Sequence, residues 1–254
     1  MRVVAVVNQK GGVGKTTTSA NLSAALGRLG KKVLMLDLDA QANLSAHYGV
    51  SPDDEGFTTG TMYDVLRHGR SLESIIIEVA GGLSLAPAGL LLSAADLELG
   101  GVIGREALLK RALSGMKLQY DFVVIDCPPS LGLLSLNGLV AAREVLVPVQ
   151  SEFLALHGVR QLLDTIDQVR LAYNPTLKVG GVLLCLFDKR RRLSESVAET
   201  VKEYFGDLVF RTTVRTNVSL AEAPAQGASI FDYDDKSVGA EDYMNLAKEV
   251  VERG

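Results

Sequence analysis

The run Gln9-Lys10-Gly11-Gly12-Val13-Gly14-Lys15-Thr16-Thr17 packs three glycines and two lysines into nine residues, and its chemistry is that of a phosphate cradle. Glycines at 11, 12 and 14 let the chain turn its N–H groups inward, and a helix starting within the run adds the positive end of its dipole. Lys15 then brings a point charge to the β- and γ-phosphates of a nucleotide, and the Thr16 hydroxyl is placed to ligate Mg2+. Two acidic strand ends complete such a site. Phe122-Val-Val-Ile-Asp126 closes an apolar run with a carboxylate that can hold Mg2+ through water beside Thr16. Val33-Leu-Met-Leu-Asp37-Leu-Asp39 ends in two carboxylates spaced by two, which alternation along a strand points to the same side. One of them can face the γ-phosphate and its attacking water. ATP and Mg2+ are the expected ligands.

This chemistry needs a strand leading into the loop and a helix leading out. Val3 to Val7 supplies the strand, and Thr16 to Leu29 has helical periodicity closed by Gly30. Beyond it, short β-branched runs at Val33 to Leu36, Leu83 to Ala86, Phe122 to Ile125, Val145 to Val149 and Val182 to Phe187 alternate with longer segments. Those segments, Arg105 to Met116, Leu156 to Leu171, Ser194 to Phe205 and Lys236 to Glu252, read as helices. The alternation predicts an α/β fold: a doubly wound, mostly parallel central β-sheet with helices on both faces. Several strand runs lack polar alternates, as strands covered on both sides do. Asp39 and Asp126 then fall at the carboxyl ends of strands, where open α/β sheets bind ligands. No repeat, linker or composition shift divides residues 1–254, so a single domain is expected, least regular from Ser45 to Gly60.

Composition narrows the function. With 254 residues, 47% of them hydrophobic, the chain can bury one substantial core. A net charge of −4 argues against coating nucleic acid with the whole surface but allows a local basic patch. The two cysteines, Cys127 and Cys185, lie in apolar runs without partners at metal-ligand spacing, and read as buried thiols. Five apolar residues from Val3 to Val7 are too few for a signal-peptide core, and no stretch reaches membrane-spanning length. A cytoplasmic location is expected.

Taken together, Lys10-Gly-Gly-Val-Gly-Lys-Thr16, Asp37-Leu-Asp39-Ala-Gln41, Asp126-Cys-Pro-Pro-Ser130, Leu220-Ala-Glu-Ala-Pro224 and Gly239-Ala-Glu241 resemble, in order and spacing, the ParA/Soj branch of the deviant Walker-type ATPases. MinD and the nitrogenase iron protein are relatives of that branch. The resemblance covers nearly the whole chain. It implies that Lys10 reaches across a homodimer to the partner's ATP, that Asp39 positions the attacking water and can contact Mg2+ through water, and that Asp126 is the Walker B aspartate. It also implies that Asn217 lies in the segment approaching adenine, and that hydrolysis is slow until a ParB-like activator intervenes. The sequence departs from the family at Ala40 and Ala42, where Pro and Gly are usual, at Arg215-Thr216, where Pro-Arg is usual, and at Ser219, where an arginine often assists DNA binding.

Lys189-Arg190-Arg191-Arg192 concentrates positive charge after a predicted strand end, which suits phosphates without reading bases. Arg190 aligns with an arginine that the family uses on DNA, and Arg211 and Arg215 join it if their strand lies alongside. Non-specific DNA binding by the ATP dimer, and hence nucleoid association, is the expectation. MinD-like membrane attachment is not expected, because Lys248 to Gly254 reads as the last helix of the domain rather than a spare amphipathic one. A nitrogenase-type reductase is excluded by the lack of a suitable cluster-binding partner for Cys127. Two uses remain open: chromosome or plasmid segregation, and positioning of another cargo such as a chemoreceptor array or organelle.

Overall fold

The computed structural model describes residues 1–151 and 155–253. Its strands are β1 (Arg2–Val6), β2 (Val33–Asp37), β3 (Ile77–Val79), β4 (Leu83–Ala86), β5 (Phe122–Asp126), β6 (Glu144–Gln150), β7 (Lys178–Phe187) and β8 (Val209–Arg215). They form one sheet in the order β3-β4-β2-β5-β1-β6-β7-β8. All neighbours run parallel except β3 and β4, which pair antiparallel. The doubly wound α/β expectation therefore holds. From β1 the chain moves to β2 on one side and returns through β5 to β6 on the other. Register sets Val6 beside Asp126 and Asp126 beside Asp37, so both acidic strand ends meet the start of the phosphate loop.

The helices are α1 (Lys15–Arg28), α2 (Asn43–His47), α3 (Met62–His68), α4 (Ala95–Glu98), α5 (Leu108–Ser114), α6 (Leu133–Ala141), α7 (Ala155–Ala172), α8 (Arg192–Phe205), α9 (Ser219–Glu222), α10 (Ile230–Tyr233) and α11 (Val238–Glu252). Alternate residues of the central strands enter two separate cores. Val3, Ala5, Leu34, Leu36, Val123 and Ile125 pack with residues of α3, α5, α6, α7 and α8. Val4, Val6, Met35 and Val124 pack with α1 and α11. Both faces of the sheet are covered, which is why these strands carry no polar alternates.

Differences from the sequence reading have local causes. The helix expected from Arg105 opens with a 3-10 turn and becomes α-helical only at Leu108. The last helix starts at Val238 because Ser237 caps it, accepting a bond from Ala240 N. Helix α6 was not anticipated, since Leu-Leu-Ser-Leu-Asn-Gly-Leu-Val-Ala is apolar nearly all round and has no periodic face. Cys127 and Cys185 are free and buried, as expected. Among the described residues no helix is long and apolar enough to cross a membrane.

Candidate active site

The phosphate loop spans the gap between β1 and α1. Gly12 and Gly14 have φ of 73° and 89°, in the left-handed region that a side chain disfavours, so these two positions require glycine. Asn8, buried beneath the loop, donates from Nδ2 to Pro148 O at 2.6 Å and accepts Lys10 N at 3.0 Å on Oδ1, pinning the loop to β6. Lys15 opens α1, is 8% exposed and donates from Nζ to Lys10 O at 3.2 Å. Burial pulls its ammonium below the usual lysine range, opposed chiefly by the nearby carboxylates of Asp126 and Asp39. An ammonium so placed is held ready for a more negative partner.

Asp126 gathers two hydroxyls from α1. Thr16 Oγ1 donates to Oδ2 at 2.8 Å and Ser19 Oγ to Oδ1 at 2.9 Å. Burial pushes the Asp126 carboxyl up to about 6; the Thr16 and Ser19 bonds and Lys15 work against that rise, while Asp39 adds to it. Ser19 was missed by the sequence reading, although its i+3 spacing from Thr16 put both on one helical face. Hydroxyl and carboxylate oxygens are the donor set that a hard divalent cation takes. Among the described residues no group of three or more His, Cys, Asp or Glu could cage a metal.

The two carboxylates at the end of β2 separate in role. The strand stops at Asp37, so the alternation expected to point Asp37 and Asp39 the same way does not extend to Asp39. Asp37 is wholly buried and accepts from Asp39 N and from Ser45 N and Oγ, while Asp39 lines the cleft and is 9% exposed. Asp39 Oδ1 accepts Gln41 N at 3.0 Å, and Ala42, where the chain departs from the resemblance, holds a left-handed φ of 51°.

These groups open on a cleft of about 460 Å³ lined by Gly11, Gly12, Gly14, Lys15, Thr16, Thr17 and Asp39 at its phosphate end. Its other wall is largely apolar, with Leu186, Val214, Leu220, Ala221 and Tyr243, and includes Arg215 and Asn217. Asn217 Oδ1 accepts Leu220 N at 3.3 Å, leaving its amide NH2 as the group it can present. Lys10 and Val13 do not line the cleft: Val13 is buried beneath it and Lys10 is half-buried at the loop.

The predicted basic residues fall in two groups. Lys189, Arg190 and Arg191 occupy the turn before α8, which Arg192 begins, and all four are exposed. The Arg190 guanidinium bonds both oxygens of Asp188, at 3.0 and 3.1 Å, and its side chain remains 89% exposed. Arg211 and Arg215 lie on β8, which does run alongside β7, but they face the acidic flank of α11. Arg215 bonds Asp242 and Glu241, both at 2.6 Å, and Arg211 bonds Glu252 at 2.7 Å. Lys189, Arg211 and Arg215 share a shallow groove with Asp242 and Asn245.

A family model described as "AAA domain" matches residues 1–179. The sporulation initiation inhibitor protein Soj of Bacillus subtilis is 45% identical over 254 residues, spanning 100% of this chain and 99% of that protein. The chromosome-partitioning ATPase Soj of Treponema pallidum is 43% identical over 253 residues, spanning 99% and 98%. Among solved structures, cobyrinic acid a,c-diamide synthase from Mycobacterium smegmatis with bound ATP analogue and magnesium superposes with a TM-score of 0.85 at 39% identity, covering 98% of this chain and 93% of that one.

Proposed function

Because the chain belongs to the ParA/Soj family of P-loop ATPases, we propose that it is an ATP-dependent dimerising switch that binds DNA without sequence preference and serves chromosome or plasmid segregation. The observation that carries this reading is the convergence of Lys15, Thr16 and Asp39 on one end of a single cleft, with Asp126 bonded to Thr16 just beneath it. Thr16 and Asp126 are the residues that would hold Mg2+, which when bound would neutralise charge on the phosphate oxygens. The glycine loop and Lys15 take the phosphates, and Asn217 and the apolar wall take the base. Asp39 orients a water that attacks the γ-phosphorus, the bond to the β,γ-bridging oxygen breaks, and ADP and phosphate leave.

Lys10 of one protomer reaches the nucleotide of the other, so that ATP becomes part of the interface and loss of the γ-phosphate loosens it. Dimerisation joins two basic patches on one body, raising DNA affinity by avidity without new contacts. A ParB-like protein accelerates hydrolysis and resets the cycle. Light scattering and DNA-surface retention of the purified chain with Mg·ATP, Mg·ADP and no nucleotide test the scheme. Dimerisation and retention are expected with ATP alone. Equal retention in all three states defeats the switch, and ATP-driven dimers that ignore DNA favour positioning of another cargo on a different matrix.

A further inference from the structure

Asp39 is given the water-positioning work, yet the more elaborate hydrogen bonding belongs to Asp37. Its oxygens accept Asp39 N at 3.1 Å, Ser45 N at 2.9 Å and Ser45 Oγ at 2.8 Å. Ser45 is also wholly buried, and its Oγ accepts Ala88 N at 3.1 Å, just past the end of β4. The segment from the end of β2 into α2 is thus tied at both ends to one carboxylate, and that carboxylate is fixed in the sheet beside Asp126. Within the loop, Ala42 N donates to Asp39 O at 2.8 Å, and Ala42 takes a left-handed backbone that an alanine adopts only when its surroundings impose it.

A buried carboxylate is a costly way to fill the end of a strand, since an apolar side chain packs there without desolvation. What the carboxylate adds is direction: it fixes where the next backbone N–H groups point. We propose that Asp37 and Ser45 form a brace that sets the position of Asp39, which makes both of them positioning residues for ATP hydrolysis. This rests on the reading that Asp39 orients the attacking water. Neither residue lines the cleft, so neither is required to hold the nucleotide. A displacement of about 1 Å at a reacting group costs up to roughly a hundredfold in rate, and the brace acts on that scale.

Ser45→Ala is the sharper variant, because it keeps the carboxylate and removes only the hydroxyl that links Asp37 to Ala88. The expected result is a kcat about tenfold lower, with KM and the affinity for a fluorescent ATP analogue within about twofold of the unmodified chain. Dimers formed with Mg·ATP should persist longer in proportion to the slower hydrolysis. Ser45→Thr, which restores the hydroxyl, should recover most of the rate. Asp39→Ala is measured beside them: hydrolysis at the full rate in that variant removes the reading on which the brace rests. If Asp39→Ala is slow but Ser45→Ala hydrolyses normally, the brace alone is wrong. Loss of nucleotide affinity in Ser45→Ala together with a lowered Tm, or a well-folded Ser45→Thr that does not recover the rate, also overturns it in favour of a purely structural role.

Discussion

Replacing Lys15 by methionine should separate ligand binding from folding at a single atom. The two side chains have similar unbranched stems, so packing against the loop is kept and the ammonium is lost. In the folded chain that ammonium is buried, bonds only Lys10 O at 3.2 Å among the contacts described, and is held below the usual lysine range by burial despite the nearby Asp126 and Asp39. Removing it relieves a desolvation cost that outweighs the attraction of the two carboxylates and forfeits one hydrogen bond, so the terms oppose one another. The Tm without nucleotide should therefore stay within a few degrees. On ATP the loss is one-sided. A unit charge about 4 Å from a phosphate oxygen, at an effective dielectric of about 20, contributes roughly 4 kcal/mol, or about a thousandfold in Kd. Mg·ATP at about a hundred times Kd stabilises the unmodified chain by roughly 2.7 kcal/mol, a rise of about 5–10 °C in Tm for a chain of this size. Thermal denaturation with and without Mg·ATP, paired with calorimetric titration, checks both halves. Affinity within tenfold of normal, or a full nucleotide-induced Tm rise, refutes the place given to Lys15.

Arg190→Glu should leave ATP-driven dimerisation unchanged and weaken retention on DNA of any sequence, since it reverses an exposed charge in both protomers; raising salt should mimic it in the unmodified chain, and filter binding across a salt series decides the matter. Ala42→Gly should raise stability by roughly 0.5–1 kcal/mol, because relief of the left-handed strain at φ 51° exceeds the entropy that glycine adds to the unfolded chain. Thermal denaturation reads this as a Tm rise of about 1–4 °C. His47 is 3% exposed with Nε2 unpartnered, and burial holds its imidazole down at about 4. Between that value and the unfolded 6.5 the unfolded chain binds the extra proton, so this contribution is whole above about pH 6.5 and is lost as pH falls. Urea unfolding at pH 7.5 and pH 5 should show a loss of about 2 kcal/mol beyond that of His47→Gln; equal losses in the two proteins would contradict the assignment.

The phosphate loop was legible because its requirements are local: glycines where φ is positive, a strand before, a helix after. Asp126 was legible because an acid closing a wholly apolar strand has few other uses. The division of labour between Asp37 and Asp39 was not, since it depends on where β2 stops, and that is decided by pairing with Asp126 and by the donors Ser45 and Asp39 N rather than by any pattern within Val33 to Asp39. Helix α6 escaped because a buried helix and a buried strand are equally apolar. Asn8 and Ser19 escaped because their partners, Pro148 O and Asp126, lie more than a hundred residues away in sequence.

The same dependence on tertiary context ranks the basic residues. Strand β8 ends the sheet, and an unpaired edge with open N–H groups invites association. Here β8 bulges against β7, Val209 facing Val182 but Thr213 facing Leu184, and α11 covers the exposed donors. Glu249 accepts Arg211 N and Thr212 N at 2.9 and 3.1 Å, and Asp242 accepts Arg215 N at 2.9 Å. Burial works against the Glu249 carboxylate, but these donors, with Thr212 Oγ1 and Arg253, hold it below the usual range. The Arg215 guanidinium completes this arrangement by bonding Asp242 a second time, so a phosphate must compete with a carboxylate only 7% exposed. Arg190 meets only Asp188 among the described residues, and its own side chain stays 89% exposed, so solvent screens the pair. The seal along β8 therefore uses Arg215 for the fold, and the turn at 189–192 is where positive charge is available to a phosphate backbone.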